Sequence, residues 1–385
     1  MKDSFEIIVI GVGSMGSSAC YHLARQGHKV LGIEQFDITH ELGSHTGQSR
    51  IIRKAYFENS DYVPLLERAY ENWKTLEEET GQQIYFPTGL VYFGPSGHSL
   101  IHGVKQSASL YGIELEQCGR DVSAKRFPHF RIPVNFETLF EPKAGFLTPE
   151  RAIRLYTQQA IKSGAKIHTG EKVVDWKKNG KGILVTTSKA IYHCDKLVIT
   201  AGAWAGNMIP GYSNKIKVTR QFIAWIKPPD RFNYSLDHFP CWLLADDAAP
   251  GCYYGFPALP TDRFEGPAGL KLAHHHPATQ TDPDQVTRDI TKEDKEDLEF
   301  VLGKYFATSS DSLLSYKTCL YANSPDEDFI VDKLPGYEES VVIACGFSGH
   351  GFKFASVIGE ILSALVTEGA THLPVGFLKA GRFAV

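Results

Sequence analysis

Long hydrophobic runs are absent from this chain of 385 residues. No apolar stretch approaches the roughly 18 residues needed to cross a membrane, so no membrane-spanning segment is expected. An excess of positive charge is absent too. The chain holds 40 Lys and Arg against 44 Asp and Glu, a formal net charge of −4. That balance argues against a nucleic-acid or anionic-membrane surface. Cysteine is sparse: seven residues, an odd number, with no C-x-x-C pair. Free thiols in a reducing compartment are expected, without a disulfide framework or a zinc site. A secretory leader is not expected, because Asp3 and Glu6 stand where positive charge belongs and glycines interrupt the first apolar stretch. The C-terminal Phe383-Ala384-Val385 is not the peroxisomal address. Cytoplasm is the expected location. Internal repeats and low-complexity tracts are also missing. What remains is an ordinary globular composition, long enough for about two domains.

The stretch that organises the rest runs from Glu6 to Glu34. Apolar residues Ile7 to Ile10 are followed by Gly11, Gly13 and Gly16 in G-x-G-x-x-G spacing. A helical segment then reaches about Gln26, closed by Gly27, and a second apolar run from Val30 to Ile33 ends at Glu34. This is strand, glycine turn, helix, strand, acid. Gly11 permits the tight turn, Gly13 lets the backbone approach a pyrophosphate, and Gly16 lets helix and strand pack closely. The helix N-terminus offers free N–H groups to phosphates, and Glu34 can accept from a ribose hydroxyl. The motif alone does not choose between NAD and FAD.

Further along, the segment Gly43-Ser44-His45-Thr46-Gly47-Gln48-Ser49-Arg50-Ile51-Ile52-Arg53 is small and polar and ends in two arginines three apart. A helix would place Arg50 and Arg53 on one side, and a guanidinium fork suits a carboxylate or phosphate. Taken alone, the pair reads better as a solvated basic face, since arginines are usually exposed. A helix is expected from Asp61, with Pro64 in its first turn, an apolar stripe of Leu65, Leu66, Ala69, Tyr70, Trp73 and Leu76, and Gly81 as its stop. Residues 84–86 and 90–93 around Pro87-Thr88-Gly89 predict a hairpin. Thr148-Pro149-Glu150 predicts a capped helix start, with Gly164 at its end. Segments 172–176, 183–187 and 190–193 read as a meander of short strands, with a separate strand from Lys196 leading into small residues. Such a meander fits a two-dinucleotide-fold flavoprotein better than a short nicotinamide dehydrogenase.

From about 218 to 318, Trp225, Trp242, Tyr253, Tyr254 and Phe256 cluster with prolines. A separate, mainly antiparallel substrate domain is expected there. Within it, a strand would put Lys271, Ala273 and His275 on one face. The run His274-His275-His276 suggests a metal at first sight, but neighbours on a strand alternate faces, so no metal site is expected. The last segment has a strand from Val341, a second glycine-rich turn from Gly346 to Lys353, and a helix with Phe354, Val357, Ile358, Ile361, Leu362 and Leu365 on one face. The partial positive charge at that helix start favours an anion, and Lys353 adds a full charge.

Six stretches together carry a resemblance. They are Gly11-V-G-S-M-Gly16, Gly43-S-H-T-G-Q-S-R-I-I-Arg53, Tyr253-Y-G-F-Pro257, the Lys271 and His275 pair, Cys319-L-Y-A-N-S-P-D-E-D-Phe329, and Gly346-F-S-G-H-G-F-K-Phe354. Nearly end to end, the chain resembles the monomeric sarcosine oxidase and N-methyltryptophan oxidase family of the glycine/D-amino-acid oxidase flavoproteins. The resemblance implies an α/β fold. An FAD-binding two-dinucleotide (Rossmann-like) domain would be assembled from residues 1–84, 145–217 and 319–385. An antiparallel-sheet α+β substrate domain would comprise 85–144 and 218–318. FAD would be held by Gly11, Gly13, Gly16, Glu34, Ser44, His45, Ser49, Arg50, Val174, Gly346, Gly349, Gly351 and Lys353, and covalently by a thioether from Cys319 to its 8α-methyl.

The resemblance also implies substrate residues. Arg53 and Lys353 would clamp a carboxylate, which is physically sensible as a fork plus a point charge. Tyr254, His275 and Tyr321 would line the pocket. Arg50, Tyr254 and His275 would serve the reaction beside Lys271, a cation that stabilises negative charge as electrons pass to oxygen. The implied activity is oxidation of an N-methyl amino acid, most simply sarcosine, with oxygen to glycine, formaldehyde and hydrogen peroxide. Alternatives are a larger secondary amino acid (N-methyltryptophan, pipecolate, proline or a glycated amino acid), a flavin dehydrogenase, or a nucleotide-binding protein without the chemistry. A monomer is expected. The chain departs from the common G-S-H-H-G-D-T-R pattern at Thr46, Gln48 and Ser49, and the first of these removes a titratable neighbour of the flavin.

Overall fold

A computed structural model describes residues 4–276, 278–306 and 308–383. Asp3 and the terminal Ala384-Val385 lie outside them. The strand Ser4–Ile10 is central to an eight-stranded sheet. It pairs in parallel with Val30–Ile33 on one side and Ile191–Ile199 on the other. Val30–Ile33 pairs onward with Lys166–His168, and Ile191–Ile199 with Val341–Cys345. Successive side chains of a strand point to opposite faces. Ile7 and Val9 therefore join a core with the helices Ser14–Arg25, Val63–Thr80, Pro149–Lys162 and Ala355–Thr367. Ile8 and Ile10 join a second core on the other face, with Trp176, Val185 and Tyr212. Burial on both faces is why these strands read as unbroken apolar runs. The apolar stripe of the last helix is fully used: Val357, Ile358, Ile361 and Leu362 are 0% exposed, each contributing about 1.5–3 kcal/mol by burial.

Three local expectations change. Segment 190–193 and the strand from Lys196 are one strand, Ile191–Ile199. Cys194 pairs with Ile183 of the meander and with Phe5 of the central strand, so the ladder continues without a break. The hairpin across Pro87 does not form. Tyr85–Phe86 pairs with Gly145–Leu147 in a three-stranded sheet that also holds Arg50–Ile52. Leu90–Pro95 instead joins the other large sheet. Gly89, at φ 72, turns the chain between them, and its N–H goes to Ala144 O. Finally, the Thr148 hydroxyl does not cap its helix but donates to Ile84 O.

The second large sheet has the order Leu313–Asn323, Lys217–Ile226, Leu270–His275, Ala249–Gly255, Cys241–Asp246, Leu90–Pro95, Phe136–Glu141, Glu116–Cys118. All its pairings are antiparallel except Cys241–Asp246 with Leu90–Pro95. Leu313–Asn323, the edge strand, pairs with Lys217–Ile226 along its whole length, so position 319 is fixed mid-strand by its register with Gln221. Among the described residues, no helix is long and apolar enough to cross a membrane.

Candidate active site

The register of the second sheet gathers the site. Tyr254 lies opposite Ala273 and Leu243, and Cys252 lies opposite His275. Ala273 also lies opposite Ile223, and the next strand places Gln221 opposite Cys319 and Thr219 opposite Tyr321. Partners across a ladder share a face, and so do residues two apart. Leu243, Cys252, Tyr254, Lys271, Ala273, His275, Cys319 and Tyr321 therefore all project from one face. His274 falls on the opposite face, stacked on Tyr253 at 3.9 Å and bonded to Asp297 Oδ1 at 2.9 Å. Alternation thus separates the adjacent histidines, and among the described residues no cluster of metal-ligating side chains forms.

Two cavities meet over this face. The larger, of about 400 Å³, runs from Gly11, Gly13 and Glu34 past Ser44, His45, Arg50 and Val174 to Tyr321, Gly346, Gly349 and Gly351. The smaller, of about 70 Å³, is lined by Arg50, Arg53, Glu58, Tyr254, His275, Tyr321, His350 and Lys353 among others. Arg50, Tyr321, Gly349 and Phe352 line both. Gly16 lies behind the first cavity: a Cβ there would come within 1.8 Å of Gly11 O. Ser49 and Cys319 line neither, and Lys353 lines the second cavity rather than the first. Ser49 Oγ lies 3.1 Å from Lys271 Nζ, and Cys319 is 1% exposed.

The two arginines do not ride on a helix. Arg50 opens the short strand Arg50–Ile52, which pairs with Gly145–Leu147. Its guanidinium folds back on its own loop, donating to Ser44 O, Thr46 O and Ser49 O at 2.6–2.9 Å. Arg53 follows the strand, buried, and one of its η nitrogens donates to both Glu58 carboxylate oxygens at 2.6 Å. Burial pushes the Glu58 carboxyl up, but Arg53, His350 and Lys353 outweigh it and bring its pKa to about 2. Lys353 precedes the last helix and donates to His350 O at 2.7 Å. Burial, then Arg53, pull its pKa down to about 7. His275 and His350 are held neutral chiefly by burial, at about 4 and about 3. His275 Nδ1 lies 3.2 Å from Tyr321 Oη, and Tyr56 Oη lies 2.5 Å from His350 Nδ1. Lys271 is 1% exposed, and its ammonium donates to Gly47 O and Ser49 O. Burial and the Arg50 charge hold its pKa well below the usual lysine value.

A family model described as FAD dependent oxidoreductase matches residues 6–365. The chain is 37% identical to the monomeric sarcosine oxidase of Bacillus sp. (strain B-0618), covering 100% of this chain and 98% of that one. It is 31% identical to the N-methyl-L-tryptophan oxidase of Yersinia pestis (strain Pestoides F), covering 98% and 99%. The chain belongs to this FAD-dependent oxidoreductase family, alongside the monomeric sarcosine oxidases. In fold, the oxidoreductase is similar to a Tyr258Phe mutant of NikD, described as an unusual amino acid oxidase, with a TM-score of 0.85 at 21% identity over 98% of this chain and 97% of that one.

The first cavity fits FAD in this oxidoreductase. A Cβ on Gly13 would meet nothing within 4 Å, which leaves its side open, whereas one on Gly11 would meet Thr200 O at 2.6 Å. No side chain caps the helix Ser14–Arg25, so its first amides remain for phosphates. Glu34 is fixed by Val12 N and Phe36 N at 2.9 and 3.1 Å, which orients its carboxylate toward the cavity it lines. His45 Nε2 is buried without a hydrogen-bond partner where the cavity passes the arginine loop. Several lining residues escaped sequence reasoning. Glu58 and His350 carried no signal beyond lying next to residues already singled out. Trp204, Glu171 and Asp284 line the larger cavity from separate segments, and Trp204 Nε1 donates to Asp284 Oδ1 at 2.8 Å.

Proposed function

We propose that the protein oxidises small N-methyl amino acids, sarcosine first among them, with FAD held covalently at Cys319 and oxygen as the acceptor. The observation that carries this reading is the contact between the two cavities. A 70 Å³ pocket with two buried cations opens against the FAD cavity through Arg50, Tyr321, Gly349 and Phe352. The narrowness of the pocket favours the smaller substrate. FAD, when bound by the residues lining the larger cavity, would supply two-electron redox chemistry between the amine and oxygen.

The chain's own groups do the rest. Lys353 and Arg53 receive the substrate carboxylate, with Arg53 shared between it and Glu58. Tyr254, Tyr321 and His275 form the wall on the sheet side. Three cations, Arg50, Arg53 and Lys353, disfavour an ammonium in the same space, so the bound amine loses its proton more readily. No side chain is needed as a dedicated base. Lys271, on the sheet face beside Cys319, holds positive charge where oxygen is reduced. Cys319 Sγ is the point of attachment in this reading; burial raises its thiol pKa, and Arg50, Lys271 and Arg288 act in the opposite direction.

Anaerobic titration of the holoenzyme with sarcosine tests the reading. Bleaching of the oxidised flavin that returns with air, with peroxide released, is the expected result. Bleaching with N-methyl-L-tryptophan and none with sarcosine would overturn the small-substrate assignment.

A further inference from the structure

Lys271 depends on a loop of unusual backbone. Its ammonium donates to Gly47 O at 2.5 Å, Ser49 O at 2.6 Å and Ser49 Oγ at 3.1 Å. Gly47 has φ 118, and Gln48, which is not a glycine, has φ 72. A non-glycine residue in this region costs free energy and persists only where its surroundings hold it. Two groups hold it here. The Gln48 side chain donates to Glu265 O at 3.0 Å and accepts from Trp225 Nε1 at 3.1 Å. Glu150, in the first turn of the helix Pro149–Lys162, accepts from Gly47 N at 2.8 Å and Gln48 N at 3.1 Å through one carboxylate oxygen. The carboxylate thus grips the Gly47–Gln48 peptide, whose own carbonyl, Gly47 O, receives Lys271; the other receiving carbonyl, Ser49 O, lies two residues on.

We propose that Glu150 is a positioning residue for Lys271, fixing the loop whose Gly47 carbonyl receives its ammonium and supplying the negative charge that offsets the neighbouring Arg50. The proposal rests on the reading that Lys271 faces the flavin. The groups facing Lys271 are Arg50, which opposes its charge, and Glu150, Cys319 and Cys241, which favour it. His45 and Arg50 face Glu150 in turn. The nearby aromatic rings of Phe256 and Trp225, at 4.3 and 5.8 Å from Lys271 Nζ, bring no formal charge. Among these groups, Glu150 is the carboxylate available to balance two buried cations.

The test uses the holoenzyme and the variants Glu150→Gln, Glu150→Ala and Lys271→Met. It reads the pH profile of flavin reoxidation by oxygen, the KM for sarcosine, and hydrogen exchange of the Gly47 and Gln48 amides. Glu150→Gln keeps an acceptor but loses the charge. Its alkaline limb should fall by about one pH unit, making reoxidation about tenfold slower above that limb, while KM stays within about twofold. Its amide exchange should match the parent's. Glu150→Ala should show the same shift, with exchange at Gly47 and Gln48 faster by about tenfold or more. A Glu150→Gln profile that superimposes on the parent's, while Lys271→Met slows reoxidation, would overturn the proposal and leave the role of Lys271 standing. Unchanged reoxidation in Lys271→Met would remove both.

Discussion

The charge on Lys353 should be readable in solution. Its ammonium is buried, bonded to His350 O at 2.7 Å, with the Tyr56 ring 5.2 Å away. Burial and Arg53 bring its pKa from 10.5 to about 7, while Glu58 acts in the opposite direction. A substrate carboxylate binds the charged form, and above pH 7 the free protein loses that form. Carboxylate binding should therefore weaken about tenfold per pH unit, or about fiftyfold from pH 7 to pH 9 because half the lysines are already neutral at the start. His275 and His350, at about 4 and about 3, do not titrate in this window. The assay is titration of the holoenzyme with acetate, a carboxylate without an amine, followed by flavin absorption from pH 6 to 9. A flat Kd across that range would refute the argument. Lys353→Met should bind acetate weakly and without this slope, and Glu58→Gln should move the parent's midpoint below 7. Folding stability should run the other way. The folded pKa lies below the unfolded value of 10.5, so between the two the unfolded chain binds more protons and stability rises with pH. Urea unfolding of the parent should show that rise, and Lys353→Met should lose it.

Cys319→Ala should keep the fold and lose acid-stable flavin, because the change removes one buried sulfur from the sheet and no charged group; yellow colour surviving acid precipitation of the variant would contradict the attachment. Arg53→Met should raise the KM for sarcosine about 10- to 150-fold, matching the loss of a charged hydrogen bond worth about 1.5–3 kcal/mol, and an unchanged KM in steady-state assays would remove Arg53 from the clamp. Gly16→Ala should abolish FAD retention, since its Cβ would lie 1.8 Å from Gly11 O and 2.6 Å from Thr200 Oγ1; full flavin occupancy on purification would show that the turn can relax.

Much of the site was legible because its signals are local. Glycine spacing and apolar periodicity identified the turn at Gly11 to Gly16 and the last helix, since backbone conformation and burial leave patterns within a few residues. Period-two alternation correctly placed Lys271 and His275 together and separated His274 from them. The hairpin at Pro87 failed for the complementary reason. Tyr85–Phe86 and Leu90–Pro95 look like neighbours in sequence, but their hydrogen-bond partners come from residues 145–147, 136–141 and 241–246. Thr148 likewise had the right residue type for a cap, but its hydroxyl found Ile84 O instead.

By itself, then, the sequence determined the glycine turn, its acid at Glu34, the family, and most of the inventory of cations and aromatics at the candidate site. Those follow from residue types at short spacing. The tertiary structure alone decided that Arg53 is gripped by Glu58, that Glu150 reaches the Gly47–Gln48 peptide from a helix about 100 residues away, and that Lys271 and Lys353 lie where burial and neighbouring arginines weaken their hold on a proton. Desolvation and charge–charge distance are properties of the packed interior, and no spacing along the chain encodes them directly.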